Sequence, residues 1–252
     1  MIREIRKDEI DQVYNLVSFD KARNYFILLT LDGNIDLYDK IYGQWENDKL
    51  IAILLRRKSG TLQFYAKGSF DIQGFTKLIS TLDYKTMIGP KSILDAFNNK
   101  SIFTHTVEGA FISKRENFDS DCYDISPGVQ SIRINDLENV VNLYKKVFHS
   151  FPSKDIMEDK ILSNRGRGVC IKKGKRIISA AQTDYETKKG ALIVGVATDP
   201  DFKNQGLATK CVKALIKDLN RELYLQYDNL DAGRIYDKLG FKSIDRVRHY
   251  IR

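Results

Sequence analysis

The chain has 252 residues, of which 42% are hydrophobic and 29% charged, with a formal net charge of +8. This composition is typical of a folded protein with one large or two modest domains, and it excludes an intrinsically disordered chain. No apolar run approaches the roughly 18 residues that span a bilayer, and the N-terminal residues lack the apolar core of a signal peptide. We therefore expect a cytoplasmic protein without a membrane partner.

Residues 1–126 are predicted to form an N-terminal α/β domain, because apolar stripes at helical spacing alternate with short β-type runs. The elements are, in order, helices over 4–17 and 20–31, strands over 35–45, 50–55 and 61–65, a helix over 70–82, a strand over 87–89, a helix over 90–97 and a strand over 102–112. The segment 117–128 is polar, acidic and ends in Pro-Gly, which indicates a linker.

Residues 127–252 are predicted to form a second domain, and this domain carries the basic excess. It has 24 Lys and Arg against 15 Asp and Glu, whereas residues 1–126 have 17 against 18. Its predicted elements are a strand over 131–134, helices over 136–148 and 154–164, strands over 168–172, 176–183 and 191–198, a helix over 207–219, a strand over 223–227 and a helix ending at Leu239. Both halves thus have the same order of elements. The first half is interpreted as a degenerate repeat of the second, with an unrelated α+β domain left open as the alternative.

The crossover between strand 191–198 and the helix after it has the features of a phosphate site. Proline at position 200 ends the strand, and a polar turn brings Gly206 to the start of the helix. The first N–H groups of a helix have no intrahelical partner, and glycine lets an anion approach them. The turn matches neither the three-glycine dinucleotide fingerprint nor the Gly-Lys-Ser/Thr nucleotide loop.

Two motifs resemble the GCN5-related N-acetyltransferases (GNATs). The first is Lys203-Asn204-Gln205-Gly206-Leu207-Ala208, followed by Thr209, which is similar to the acetyl-CoA signature of that family. Lys203 departs from the arginine or glutamine expected at its position. The second motif follows about twenty residues after the first, with Asn229, Ala232, Tyr236 and then Leu239-Gly240-Phe241. The resemblance covers roughly residues 129–252.

The resemblance implies a mixed α/β fold of tandem acyl-CoA N-acyltransferase-like domains, each with a mixed, mostly antiparallel sheet flanked by helices. It implies acetyl-CoA as co-substrate, held by backbone amides around Gly206 and by the strand before it. The implied binding residues are Val196, Ala197, Thr198, Lys203, Asn204, Gln205, Gly206, Leu207, Ala208, Thr209, Asn229 and Ala232. It also implies a bulge near Gly195 that opens a slot for pantetheine, although close packing alone also explains a glycine there.

The expected reaction is direct transfer of an acetyl or other acyl group to an amine in a ternary complex, with Tyr236 as the general acid. A phenol stays protonated at neutral pH and can protonate the departing thiolate. No general base is assigned, since Asp184, Glu186 and His149 are each more typical of solvated loop residues. The acceptor is expected to be a small-molecule or peptide amine.

The fold can be kept in a non-catalytic acyl-CoA-binding or scaffolding protein, and this alternative stays open. Nucleic acid is not expected as a partner, because no basic run interleaves with aromatic residues. No metal is expected either, since the cysteines and histidines are scattered through the chain. The oligomeric state stays open.

Overall fold

A computed structural model of the chain describes residues 1–98, 101–116, 127–188, 190–217, 219 and 221–252. Its internal packing forms two compact units, one made of Met1–Ile112 with Ser243–Arg252 and the other of Ser113–Lys242. Most of the predicted linker, over 117–126, lies outside the described residues, as does Cys122. The predicted domain boundary between residues 126 and 127 therefore stays a prediction.

In the first half of the chain the described residues form six strands and four α-helices. They are β1 (Ile2–Glu4), α1 (Ile10–Ser18), α2 (Lys21–Asn34), β2 (Tyr38–Glu46), β3 (Lys49–Arg57), β4 (Thr61–Ala66), α3 (Ile72–Thr81), β5 (Thr86–Pro90), α4 (Lys91–Leu94) and β6 (His105–Arg115). Local signals explain the boundaries. The Asp20 carboxylate accepts a hydrogen bond from the Arg23 N–H and caps α2. Asn47 and Asp48 both have positive φ and make the tight turn between β2 and β3.

The second half, as far as the structure describes it, repeats this order with six further strands and four further α-helices. They are β7 (Val129–Ser131), α5 (Leu137–Val147), α6 (Lys154–Leu162), β8 (Gly168–Lys173), β9 (Arg176–Asp184), β10 (Gly190–Thr198), α7 (Leu207–Ile216), β11 (Glu222–Tyr227), α8 (Leu230–Lys238) and β12 (Lys242–Ile251). The predicted common order of elements is therefore confirmed.

Each unit is built on a mixed sheet. In the first unit the strands β1 to β5 are neighbours in chain order, and β12 pairs antiparallel with β5, from Val247 opposite Pro90 to Ile251 opposite Thr86. In the second unit the order is β11-β10-β9-β8-β7. In both units the crossover pair, β4 with β5 and β10 with β11, is parallel. The predicted mixed, mostly antiparallel sheet is confirmed.

Strand β12 is the main difference from the sequence-based prediction, which assigned no element after Phe241 and placed these residues in the second domain. The strand carries Asp245, Arg246, Arg248 and His249 among its apolar residues, so its pattern does not resemble a half-buried strand. The structure explains the charges: Arg248 is 9% exposed and its guanidinium lies 3.0 Å from the Asp95 carboxylate.

Smaller differences concern element boundaries. Helix α2 continues through Asn34, although Asp32-Gly33-Asn34 resembles a turn, and a 3-10 turn over Ile35–Leu37 precedes β2. Strand β1 was not predicted, and α1 begins at Ile10 rather than at Glu4.

The second unit has a hydrophobic core on each face of its sheet, and these cores position the candidate site. On one face α7 and α8 pack through Cys211, Leu215 and Tyr236 against β10 and β11. On the other face α5 and α6 pack through Leu143, Tyr144 and Met157 against β8 and β9. Among the described residues, no helix has the length and apolarity to cross a bilayer.

Candidate active site

The crossover from β10 to α7 leaves the start of the helix open. Gly206 is the N-cap residue with φ of +70°, and no side chain of the described residues caps the helix there. Asn204 also has positive φ, at +61°. A Cβ at Gly206 would have no atom within 4 Å apart from its chain neighbours, so there is open space beside this residue. Lys203 to Gly206 are exposed and Leu207 to Thr209 half-buried, which makes this turn a cradle of backbone donors.

The two parallel strands beside this cradle separate. The pairing of β10 with β11 runs from Gly190 opposite Glu222 to Leu192 opposite Tyr224, and both strands continue beyond it. On its other side β10 shifts register against β9 between Val194 and Ala197. The predicted bulge at Gly195 is therefore confirmed. The slot is the gap between β10 and β11 beyond their last paired residues. The bulged backbone of β10 lies beside it, and a linear ligand in the slot could pair with this backbone as an additional strand.

The binding residues predicted on β10 differ in environment. Val196 is half-buried against the core that contains α7, whereas Ala197 is 2% exposed and belongs to the core on the other face. The Thr198 hydroxyl lies 3.0 Å from the Ser179 hydroxyl of β9. The backbone of this stretch is therefore the part that a ligand in the slot could reach.

Tyr144 of α5 meets the bulge at its glycine. The Tyr144 hydroxyl donates to the Gly195 carbonyl at 2.9 Å and accepts from the Gln182 amide at 2.7 Å. Gly195 has φ of +60°, and a Cβ there would lie 2.1 Å from the Tyr144 oxygen. Both explanations for a glycine at position 195 are therefore correct. The residue lies in the bulge, and it also packs too close to Tyr144 to carry a side chain.

A buried carboxylate anchors the turn after β10. Asp199 is 2% exposed and accepts from Lys146 of α5 at 3.0 Å and from the Arg176 Nε at 3.0 Å. It also accepts from the Asp201 N–H, which caps the 3-10 turn Pro200–Phe202. Burial opposes ionisation of this carboxyl, but the hydrogen bonds from Arg176 and Lys146 outweigh it and lower the pKa of Asp199 to about 2. The cradle is thereby fixed to α5 and β9.

Helix α8 brings the second motif beside β11. The Asn229 side-chain oxygen accepts from the Asp231 N–H at 2.8 Å and caps α8, so its NH₂ group is the part left for a ligand. Ala232 is half-buried against the core.

Tyr236, the proposed acid, is 6% exposed, and its ring lies 5.5 Å from that of Tyr227 and 6.0 Å from that of Phe241. Burial raises the pKa of Tyr236 well above its usual value. The phenol is therefore protonated throughout the neutral range.

The acidic candidates for a general base are held in ion pairs. Asp184 lies 2.8 Å from the ammonium of buried Lys160, and Glu186 lies 2.8 Å from the guanidinium of Arg167. His149 is exposed between α5 and α6. In the part of the chain that the structure describes, no three His, Cys, Asp or Glu side chains come together to hold a metal ion.

Two residues central to this geometry were missed as functional positions. Tyr144 lies on the apolar stripe of a helix, and Asp199 resembles an ordinary turn residue before proline. Each acquires its role from partners on other elements, so no local signal in the sequence could have identified them. Gly195 could be identified because glycine inside a strand is itself a signal.

Comparisons with known proteins agree with this geometry. Residues 159–250 match the family model described as GNAT acetyltransferase. A comparison with curated proteins finds no match for the chain.

Solved structures match over nearly the whole chain. A GNAT-family acetyltransferase from Colwellia psychrerythraea is 14% identical, with a TM-score of 0.67 and coverage of 100% of this chain and 99% of the other. A GCN5-related N-acetyltransferase from Sphaerobacter thermophilus is 12% identical, with a TM-score of 0.70 and coverage of 100% and 95%. A tandem GNAT protein from the clavulanic acid biosynthesis pathway is 11% identical, with a TM-score of 0.62 and coverage of 100% and 98%.

These matches define the class of the protein. The chain has the fold of the GNAT acetyltransferases over its full length, and one of the similar structures is a tandem GNAT protein. Residues 159–250, which contain both motifs, match the family model itself. The resemblance inferred from the two motifs is confirmed.

Proposed function

We propose that the chain is an N-acetyltransferase that transfers the acetyl group of acetyl-CoA, or a related acyl group, directly to an amine. The observation that carries this proposal is the uncapped start of α7, which lies beside the separating strands β10 and β11. An open helix N-terminus favours a pyrophosphate, and a strand edge favours the amide-bearing pantetheine arm. The family match of residues 159–250 supports the same assignment.

Different residues of the site bind different parts of the co-substrate. Backbone N–H groups from Gln205 to Thr209 hold the pyrophosphate, and Lys203 adds a positive charge at the entrance of the turn. Backbone groups from Val196 to Thr198 pair with the pantetheine, and the Asn229 NH₂ group contacts it from the opposite side of the slot. The open space beside Gly206 provides the room that a bulky anion needs.

The chemical step forms a carbon–nitrogen bond and breaks a carbon–sulfur bond, with proton transfers at both ends. The nitrogen lone pair of an uncharged amine attacks the thioester carbonyl carbon, and a backbone N–H of the bulged stretch stabilises the charge that develops on the carbonyl oxygen. The carbon–sulfur bond then breaks, and Tyr236 gives its phenolic proton to the departing thiolate. The nitrogen loses a proton to water, and solvent returns a proton to Tyr236.

Direct attack, rather than a covalent acyl-enzyme, is favoured by the state of the thiols. Cys170 and Cys211, the two cysteines that the structure describes, are buried, and burial raises the pKa of each to about 11. A thiol with that pKa is not a nucleophilic thiolate at neutral pH. Asp184 and Glu186 are engaged in ion pairs, so we expect the amine to arrive neutral or to lose its proton through water.

The proposal is tested by release of thiol. The purified chain is mixed with acetyl-CoA and a panel of small amines, peptides with free N-termini and lysine peptides, and free CoA thiol is titrated while binding of CoA is measured by calorimetry. We expect binding together with thiol release that depends on one class of amine. Binding without release from any amine would support the non-catalytic acyl-CoA-binding alternative, and absence of binding would remove both.

A further inference from the structure

The geometry points to Tyr144 as a positioning residue for acyl transfer: its hydroxyl holds the Gly195–Val196 peptide so that the Val196 N–H is the donor presented to the acyl carbonyl. This inference rests on the proposed function and adds a residue to it. Tyr144 lies in α5, outside both sequence motifs.

The direction of the hydroxyl is set by a chain of hydrogen bonds. Tyr144 is 2% exposed and Gln182 is 4% exposed. The Gln182 NH₂ group donates to the Tyr144 oxygen at 2.7 Å, and the same group lies 3.5 Å from the Met157 sulfur. Because the Tyr144 oxygen already accepts one proton, its own proton is directed to the Gly195 carbonyl, 2.9 Å away.

Because the peptide unit is planar, the hydrogen bond to the Gly195 carbonyl also orients the N–H of Val196. The Gly195 carbonyl and the Val196 N–H belong to one trans peptide unit and point in opposite directions. A carbonyl held on the side of Tyr144 therefore turns the Val196 N–H away from α5. The same peptide lies inside the register shift between Val194 and Ala197, where regular pairing with β9 does not fix its orientation.

Gly195 and Tyr144 act together on the orientation of this peptide. The positive φ of Gly195 would be strained for other residues, and the space that a side chain would occupy is filled by the Tyr144 oxygen. Glycine adopts this φ readily, so the backbone alone does not fix the peptide, and loss of the Tyr144 hydrogen bond leaves its orientation less restricted. An oxyanion donor stabilises the reaction only while it is already oriented toward the developing charge, so this loss of orientation would weaken acyl transfer without emptying the pyrophosphate cradle.

The test is Tyr144→Phe, which removes the hydroxyl and keeps the ring. Protein labelled with ¹⁵N-valine and ¹⁵N-glycine is titrated with CoA and then with acetyl-CoA, and Val196→Ile identifies the Val196 amide signal. In the unsubstituted protein we expect Gly206 to respond to both ligands and Val196 to show an additional response to acetyl-CoA, because only that ligand has the acyl carbonyl. In Tyr144→Phe the additional Val196 response is lost while Gly206 still responds.

Turnover gives a second readout once an amine acceptor is identified. We expect kcat of Tyr144→Phe to fall about tenfold, less than the roughly 10²–10³-fold loss caused by deleting an oxyanion donor, with KM for acetyl-CoA nearly unchanged. Tyr250→Phe is the matched control, since it also removes a buried hydroxyl that donates to a backbone carbonyl, that of Leu94 at 3.0 Å. This control leaves the amide responses and kcat unchanged.

The outcomes separate this inference from the proposed function. An acetyl-specific Val196 response that persists in Tyr144→Phe, or that is missing from the unsubstituted protein, overturns the role of Tyr144 while the CoA site stands. A Gly206 amide that responds to neither ligand overturns the proposed function and this inference with it. Should Tyr144→Phe fail to fold, Gln182→Leu tests the same orientation, because it removes the donor that directs the hydroxyl. A full Val196 response in that variant overturns the inference.

Discussion

Each unit has one pair of parallel strands joined through a helix: β4 and β5 through α3, and β10 and β11 through α7. These two crossovers differ in how the helix begins. In the first unit the Asp71 carboxylate accepts from the Gly74 N–H at 2.8 Å and caps α3. In the second unit Gly206 caps α7 without a side chain. A carboxylate at a helix N-terminus satisfies the free amides and repels a phosphate, whereas glycine leaves those amides to a ligand.

The strands before the two helices differ as well. The pairing of β4 with β3 is regular from Ala52 to Arg56, without the bulge that β10 has. Phe70, in the loop after β4, packs 4.9 Å from Phe64 and 5.6 Å from Phe97 between ring centres. Aromatic rings thus fill the crossover of the first unit, where the second unit leaves an open strand edge.

The helices after the second parallel strand differ at one corresponding position. Counted from the N-cap residue, Phe97 follows Pro90 by the same number of positions as Tyr236 follows Asn229, and both rings are buried. Phe97 therefore has no hydroxyl at the position of the proposed general acid. The two units thus differ in a helix cap, a bulge and a hydroxyl, while the order of elements is the same in both.

The strongest test of the comparison introduces a carboxylate at one glycine of each crossover, Gly206 in the second and Gly68 in the first. Gly206→Glu places a carboxylate where the pyrophosphate binds, and like charges at close range cost several kcal/mol, so we expect the Kd for CoA to rise at least about 100-fold. Gly68→Glu is the control, because Gly68 also has positive φ and open space around it. Calorimetric titration with CoA measures both. An equal loss of CoA affinity in the two variants would show that the CoA site is not specific to the second crossover.

The next expected effect concerns the hydroxyl that distinguishes Tyr236 from Phe97. Tyr236→Phe removes the proton donor and leaves the packing of the ring, so we expect turnover to fall about 10²-fold. CoA affinity should change little, because the phenol does not belong to the pyrophosphate cradle. Thiol release and CoA titration measure the two quantities. Full activity in this variant would leave the acid unassigned.

The bulge is tested by Gly195→Ala. The added Cβ would lie 2.1 Å from the Tyr144 oxygen and 2.8 Å from its Cζ, in a backbone conformation with φ of +60°. Overpacking and backbone strain together are expected to lower the free energy of unfolding by about 2–4 kcal/mol. Gly174→Ala is the control, since it has the same φ and no neighbour within 4 Å, and it should cost only about 1 kcal/mol. Urea denaturation followed by circular dichroism compares them, and equal losses would mean that Tyr144 does not restrict this site.

The smallest expected effect is in the first unit. Asp71→Ala removes the cap of α3 and should lower the free energy of unfolding by about 1 kcal/mol, while Asp71→Asn, which keeps an acceptor, should lower it less. Neither variant should gain CoA binding, because the aromatic rings still fill the crossover. A second CoA bound per chain of Asp71→Ala, detected by calorimetric stoichiometry, would show that the carboxylate alone closes the first crossover.

The parts of the fold that could be predicted are those with local causes. The helices have apolar stripes, Asp20 and Gly206 mark helix starts, and Gly195 marks a bulge within its own strand. Strand β12 could not be predicted, because it pairs with β5 of the first unit and its charged Arg248 is neutralised by a partner far away in the chain. The hydrogen-bonded contact of Tyr144 with Gly195 and Gln182 likewise joins three separate elements.

The pairing of β12 with β5 also has a consequence for biosynthesis. When the ribosome has made residues 1–112, the strand that covers β5 has not yet been translated, and residues 113–242 must be made before it emerges. Until then the nascent first unit has an unpaired strand edge, which is a site for aggregation or chaperone capture. Its folding is completed only after the second unit has left the exit tunnel, so an early stop or a proteolytic cut near residue 242 would damage the unit at the opposite end of the chain.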